Sequence, residues 1–193
     1  MAQEIARVDV ADVIAGQVSQ AKEALEKGEA LLRVYAIPAP ELRIRAKKRI
    51  IRLDEGKLAR LVYSLVTAAA KGSGSFKFKE FGSLVGDYKA AAAFLASLWR
   101  RGLVGFEDEE TALNIYIAAN SLSQKTYEHR IAKVLEKTVQ VNLDALRKLP
   151  SDEILCVQRG GLVLCRYAVS NAPRIIAKAQ ARAVISLAGY RPA

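Results

Sequence analysis

The chain has few of the residues on which common active sites depend. Its 193 residues include one histidine, one methionine, one tryptophan and two cysteines. A lone histidine (His129) does not make a metal site, and two cysteines alone are too few for a zinc site. The glycine-rich stretches at 72–75 and 159–162 lack the Gly-Lys-Ser/Thr ending of a phosphate loop. We therefore expect a protein that is not an enzyme and that uses no cofactor and no metal.

Long apolar runs and a secretory leader are also missing. No run of about 18 apolar residues is present, which argues against a transmembrane helix. The start of the chain, residues 1–17, is acidic and mixed, without the basic segment and apolar core of a signal peptide. The composition, 51% hydrophobic and 26% charged, is typical of a globular protein. We expect a location inside a cell, in a nucleoid, or inside a virion.

Positive charge is abundant and is concentrated in two blocks. The net charge is +10, and it divides into −2 for residues 1–40, +9 for 41–101, −1 for 102–150 and +4 for 151–193. An excess of Lys and Arg that is concentrated in a few segments is typical of a protein that binds a polyanion. Nucleic acid is the favoured polyanion, while an anionic membrane surface and a merely solubilising charge remain the alternatives.

The hydrophobic pattern predicts a mainly α fold with small β elements (α+β), in which a helical protein carries a C-terminal β-hairpin and helix. Three segments are expected: an N-terminal helical arm (1–40), a basic segment with a central domain (41–120), and a long helix with the hairpin and a basic helix (121–193). Predicted helices cover residues 3–33, 55–71, 79–86, 87–102 and 121–149, with a last helix from Asn171. Predicted strands cover the first half of 42–53, 76–78, two strands around an acidic turn in 103–118, and a hairpin in 153–169.

The first candidate interface is the tract that runs from residue 43 to residue 52. Six cations within ten residues would contact several phosphates and would bind without base preference. Four of the six are Arg, which suits bidentate phosphate contacts. The alternative is an edge strand that charge protects from aggregation. The cations are Arg43, Arg45, Lys47, Lys48, Arg49 and Arg52.

The second candidate interface is the predicted last helix. Arg174, Lys178 and Arg182 follow one another at four-residue spacing, so they would line one stripe that could lie along a nucleic-acid backbone. An ordinary amphipathic surface helix is an equally good interpretation.

Aromatic residues offer a weaker signal for nucleic acid. Phe76, Phe78 and Phe81 alternate with lysines and could stack single-stranded bases, but we expect these rings to lie in the core. Trp99, on an apolar helical face, is expected in the core as well.

The stretch FKEFGSLVGDYKAAAAFLASLWRRGLVGFEDEE, within residues 57–118, resembles the core of a winged-helix DNA-binding domain. The resemblance implies a recognition helix that begins at Tyr88, with Lys89 able to reach a phosphate, and a wing at 107–110. This recognition helix presents four alanines, which cannot hydrogen-bond a base, and the wing is acidic. Such a helix suits close packing against another helix or another subunit better than sequence readout.

The two cysteines flank a Gly-Gly pair in CVQRGGLVLC. If Gly160 and Gly161 form the loop of a hairpin, Cys156 and Cys165 face each other at a non-hydrogen-bonded position, where a disulfide is feasible. A disulfide and two buried thiols are equally compatible with the sequence. An intracellular disulfide would indicate a hyperthermophile or a virion.

Three functions follow from these patterns. The favoured one is a structural, non-enzymatic protein that coats or organises double-stranded DNA as an oligomer, in the manner of chromatin or of a viral nucleocapsid or capsid. The alternative is a winged-helix transcription regulator, and the third is a protein-interaction adaptor that binds no nucleic acid.

Overall fold

The computed structural model describes residues 6–26, 33–36, 44–46, 49–51, 55–148, 155–159 and 162–165, with side chains described at 8–21, 23, 25 and 60–148. The described part is mainly helical with small sheets, as predicted. Among these residues, no helix is both long enough and apolar enough to span a membrane. The predicted helix from Asn171 lies outside the described residues.

The N-terminal segment differs from the single helix predicted over residues 3–33. It contains β1 (Ala6–Asp9), α1 (Val10–Ile14), α2 (Ser19–Glu26) and β2 (Arg33–Ala36). Asp9 caps α1 by accepting a hydrogen bond from the Ala11 backbone N–H. Gly16, which follows the end of the helix, has a φ of +77°. The helical prediction was wrong because the strands at both ends depend on partners more than a hundred residues away, which local periodicity does not reveal.

Those partners are the two strands of the C-terminal hairpin, β8 (Leu155–Arg159) and β9 (Leu162–Cys165). The hairpin pairs Val157 with Leu164, which is the register predicted from the Gly-Gly loop. The four-stranded sheet has the order β1-β9-β8-β2, with β1 parallel to β9. The sheet therefore joins the first segment of the chain to the last, while the division into three segments stays a prediction.

The central segment follows the prediction closely. It contains α3 (Glu55–Lys71), β5 (Ser75–Lys77), α4 (Phe78–Val85), α5 (Tyr88–Arg100) and β6 (Val104–Phe106). Asp87 is the N-cap of α5 and accepts hydrogen bonds from the backbones of Lys89 and Ala90. Gly86 and Gly102 follow α4 and α5 with φ values of +80° and +74°, a conformation that favours glycine.

Two predictions between residues 103 and 149 were wrong. The acidic run is not a turn between strands, because it begins α6 (Glu109–Asn120), and Asp108 is the N-cap. Acidic side chains in a first turn are stabilised by the helix dipole, and that preference decides the structure here. The helix predicted over 121–149 is instead α7 (Gln124–Val134), β7 (Thr138–Val141) and α8 (Leu143–Arg147), because the alternating residues of β7 complete a sheet.

The second sheet is antiparallel, with the order β5-β7-β6. Val139 of β7 pairs with Phe76 of β5 and with Phe106 of β6. One face of the sheet is buried, and the opposite face carries the exposed residues Lys77, Thr138 and Gln140.

The core lies around α5, in which every residue from Ala91 to Leu98 is buried. The phenylalanines predicted to be core residues are buried, and the Phe81 ring packs 5.8 Å from Phe76 and 6.3 Å from Phe94. Helices α4 and α6 both pack against α5, so the prediction that the alanine-rich helix packs against other helices is confirmed.

Two leucine-to-alanine substitutions, one at a buried and one at an exposed position, test this placement of the core. Leu95→Ala, at a fully buried position of α5, is expected to lower the free energy of unfolding by about 2–5 kcal/mol because it leaves a cavity. Leu122→Ala, at a side chain that is 79% exposed, is expected to change it by less than about 0.5 kcal/mol. If urea denaturation showed that both variants lose the same free energy of unfolding, the core assignment would be contradicted.

Candidate nucleic-acid interface

The basic tract forms a small sheet of its own. It contains β3 (Ile44–Ala46) and β4 (Arg49–Ile51), which are antiparallel and pair with neither of the larger sheets. A strand in the first half of 42–53 was predicted, and the second half, which the sequence left open, is the returning strand. We call this unit the basic ribbon. Of its six cations, Arg45 and Arg49 lie on the strands, and Arg43, Lys47, Lys48 and Arg52 lie outside the described residues.

The register of the basic ribbon distributes its charge over both faces. Arg45 is opposite Ile50, and Arg49 is opposite Ala46. Since successive register positions alternate between the two faces of a sheet, Arg45 and Arg49 occupy opposite faces. A two-stranded ribbon with cationic positions on both faces can meet two phosphate backbones at once, and the major groove of B-DNA is wide enough to admit such a ribbon.

The C-terminal candidates lie beyond what the structure describes. Arg174, Lys178 and Arg182 are outside the described residues, so the basic stripe stays a prediction. For Cys156 and Cys165 only the strand positions are described, and the choice between a disulfide and two thiols stays open.

Lys89, the candidate from the winged-helix resemblance, has an intramolecular role. Its Nζ donates a hydrogen bond to the Ser121 carbonyl at 2.8 Å and lies 5.7 Å from the centre of the Tyr127 ring. Partial burial and the nearby Asp87 raise the pKa of Tyr127, so this ring remains neutral. Lys89 therefore ties the start of α5 to the segment between α6 and α7.

Most of the remaining cations of the described surface fall into two groups. In the first group each cation has an acidic partner: Lys77 and Lys79 pair with Glu136, Lys137 lies 3.5 Å from Asp108, and Arg147 lies 3.3 Å from Asp12. Exposed pairs of this kind add little stability but neutralise one another. The second group is exposed and forms no ion pair with any described residue. It consists of Arg60, Lys71, Arg100, Lys125, Lys133 and Lys148.

The acidic run, predicted to be a wing, is held against the second sheet. Asp108 accepts hydrogen bonds from the Thr111 backbone and hydroxyl, both at 2.7 Å, and these bonds hold its pKa below the usual range. Glu107 accepts a hydrogen bond from the Thr138 backbone at 2.9 Å. A negative surface of this kind repels a phosphate backbone, so this part of the molecule is poorly suited to contact with nucleic acid.

A groove that the sequence did not reveal lies beside this acidic run. Trp99 was expected in the core, but it is 41% exposed and packs against Phe106 with a ring-centre distance of 6.2 Å. Helix α6 forms the opposite wall, and the cavity has a volume of about 790 Å³. We call it the α5–α6 groove. Its apolar residues are Trp99, Phe106, Ala112, Leu113 and Tyr116, and its charged residues are Arg100, Asp108 and Glu109.

Metal ligation has no support within the described ranges. No group of three or more His, Cys, Asp or Glu side chains is arranged there to hold a metal ion. His129 is exposed on α7, as predicted for a surface residue.

Comparisons of the chain with protein-family models, with curated proteins and with solved structures found no match.

The cap at Asp108 generates a prediction with a pH dependence. Asp108→Ala is expected to lower the melting temperature at pH 7, whereas Asp108→Asn, which keeps an acceptor for Thr111, should lower it less. Because the folded pKa is depressed, the charged carboxylate stabilises the protein above the ordinary aspartate pKa of about 3.9, and this contribution is lost as the pH falls through the folded value.

The measurement is thermal unfolding by circular dichroism from pH 7 to pH 2.5, with Glu110→Ala as the control in the same helical turn. The difference in melting temperature between the wild type and Asp108→Ala should become smaller toward acid pH. A difference that stays constant at every pH would contradict a role for the carboxylate charge.

Proposed function

We propose that the protein is a structural, non-enzymatic DNA-binding protein that coats or organises double-stranded DNA through phosphate contacts, as an oligomer of the chromatin or nucleocapsid type. The proposal is carried by one observation: the most cationic tract of the chain is folded as a separate two-stranded ribbon, with Arg45 and Arg49 on opposite faces. No acidic residue lies between Glu41 and Asp54, so the charge of the ribbon is not balanced locally.

The preference for phosphate over base contacts rests on α5. The helix that would read bases in a winged-helix domain is buried from Ala91 to Leu98, and its Lys89 is hydrogen-bonded to Ser121. Side chains that do not reach solvent cannot contact base edges. Binding through the ribbon would instead depend on the release of counterions from the DNA and would be strongly sensitive to salt.

A winged-helix transcription regulator is the second candidate. It is favoured by the order from α3 to β6, which is helix, strand, short helix, longer helix and strand. Against it stands the connection between β6 and β7, where α6 and α7 replace the expected wing. A regulator of this kind would have to bind DNA through a surface other than the usual recognition helix.

The proposal is tested by neutralising the basic ribbon. Replacing Arg43, Arg45, Lys47, Lys48, Arg49 and Arg52 with Gln is expected to weaken binding to random duplex DNA and to flatten its salt dependence. The slope of log affinity against log salt should fall by about 0.9 for each phosphate that the variant no longer neutralises. Fluorescence anisotropy with a labelled duplex of random sequence, at several salt concentrations, measures both quantities.

The matched control removes the same amount of charge elsewhere. Gln at the six exposed cations that form no ion pair within the described residues is expected to leave most of the affinity and most of the slope in place; these are Arg60, Lys71, Arg100, Lys125, Lys133 and Lys148. Equal losses in the two variants would mean that only total charge matters and would overturn the role of the ribbon.

Two further measurements separate the candidate functions. Competition between random duplex and a selected sequence should show little preference for a structural protein and a large one for a regulator. Sedimentation with increasing DNA length should show protein accumulating along the duplex for a coating protein, and a fixed stoichiometry for a regulator. No binding to either duplex at low salt would favour the adaptor.

A further inference from the structure

The exposed apolar surface of the described region is concentrated in one place. Only three large hydrophobic side chains with described environments are exposed, namely Trp99 at 41%, Leu113 at 54% and Leu122 at 79%, and the first two line the α5–α6 groove. With Phe106 and Tyr116 beside them, they form a continuous apolar surface that is rich in aromatic rings. Clustered surface of this kind marks a binding site more often than a solvated face.

Helix α6 explains why this surface faces outward. Ile115, Ala118 and Ala119 form its buried side. A second row, at the spacing of one helical stripe, lies on the groove, where Glu109 and Leu113 are exposed, Tyr116 is partly buried and Ala112 is buried. The row consists of Glu109, Ala112, Leu113 and Tyr116. The helix therefore has two apolar sides, of which the fold uses one.

The charges around the groove have both signs. Arg100 lies on the α5 side, and Asp108 and Glu109 lie at the start of α6. Arg100 and Glu109 are exposed and form no ion pair with any described residue. A groove that carries both positive and negative charge suits neither a polyanion such as DNA nor a polycationic peptide, because each of these partners would meet charge of its own sign.

We propose that the α5–α6 groove is a contact surface between two copies of this chain, related by a two-fold axis. In such an isologous contact the same patch is used twice, so a patch with an aromatic centre, a cation (Arg100) on one side and an exposed carboxylate (Glu109) on the other is complementary to itself. Arg100 of each copy faces Glu109 of the other, and Leu113 of each copy enters the groove of the other. Trp, Tyr and Arg, which anchor many interfaces, are the residues found here.

The inference rests on the proposed function for its biological meaning, since it supplies the self-association that a DNA-coating protein requires. Its chemistry does not involve DNA. The basic ribbon belongs to another part of the chain, so a dimer formed through α5 and α6 would carry two ribbons.

Charge reversal provides a sharp test, with nuclease-treated full-length protein and sedimentation velocity over a series of concentrations. The wild type is expected to dimerise. Arg100→Glu or Glu109→Arg should each raise the midpoint concentration roughly tenfold, because like charges then face each other twice. An equimolar mixture of the two variants should dimerise again, since every reversed position then faces its complement. Glu110→Arg and Lys125→Glu are the matched controls and should behave as the wild type.

The apolar centre is tested by a second matched pair. Leu113→Glu should abolish the dimer, whereas Leu122→Glu, at an exposed leucine outside the groove, should leave it intact. Because Trp99 is the only tryptophan of the chain, its fluorescence emission should shift to shorter wavelength as the wild type dimerises and should not shift in Leu113→Glu.

A wild type that remains monomeric at every concentration would overturn the proposal, as would a mixture of the charge variants that fails to associate. These measurements contain no nucleic acid. Their failure would leave the result of the ribbon experiment standing, and a ribbon variant that still binds DNA would not affect them.

Discussion

The burial of α5 is the constraint on which the rest of the described structure depends. A helix that is apolar on every side needs neighbours on every side. Its alanines allow those neighbours to approach closely, and α4 and α6 provide them. Phe81 and Phe94 fill the space beside the small residues. Once α5 occupies the centre, it is not available for a DNA groove, and the charged surfaces outside it must carry any contact with a polyanion.

The cations of the protein differ in how far neighbouring carboxylates compensate their charge. Near the second sheet, cations and carboxylates alternate and pair, as Lys77 and Lys79 do with Glu136. These pairs hold the pKa of Glu136 below and that of Lys79 above their usual values, so both groups are charged at neutral pH. The charges of such a surface largely cancel, so it attracts a charged ligand only weakly. The basic ribbon has no such compensation in sequence, and on this contrast rests our proposal that the ribbon contacts phosphate.

Local signals predicted the elements from residue 55 to residue 106. Asp87 marked the start of α5, and Gly86 and Gly102 marked helix ends, because each acts through its own backbone or side chain. The acidic run was ambiguous, since a turn and a helix N-terminus both favour Asp and Glu. Trp99 lay on an apolar stripe, yet the stripe alone did not show that its ring would stay 41% exposed at the edge of a groove.

The sequence by itself determined the mainly helical class, the ends of α4 and the caps of α5, and the excess of positive charge, because each is a property of neighbouring residues or of composition. Only the tertiary structure decided that residues 6–9 pair with the C-terminal hairpin, that β7 lies between β5 and β6, and that Lys89 binds Ser121. Each of these joins residues far apart in the chain. Their stability depends on which surfaces meet after folding, and no local pattern contains that information.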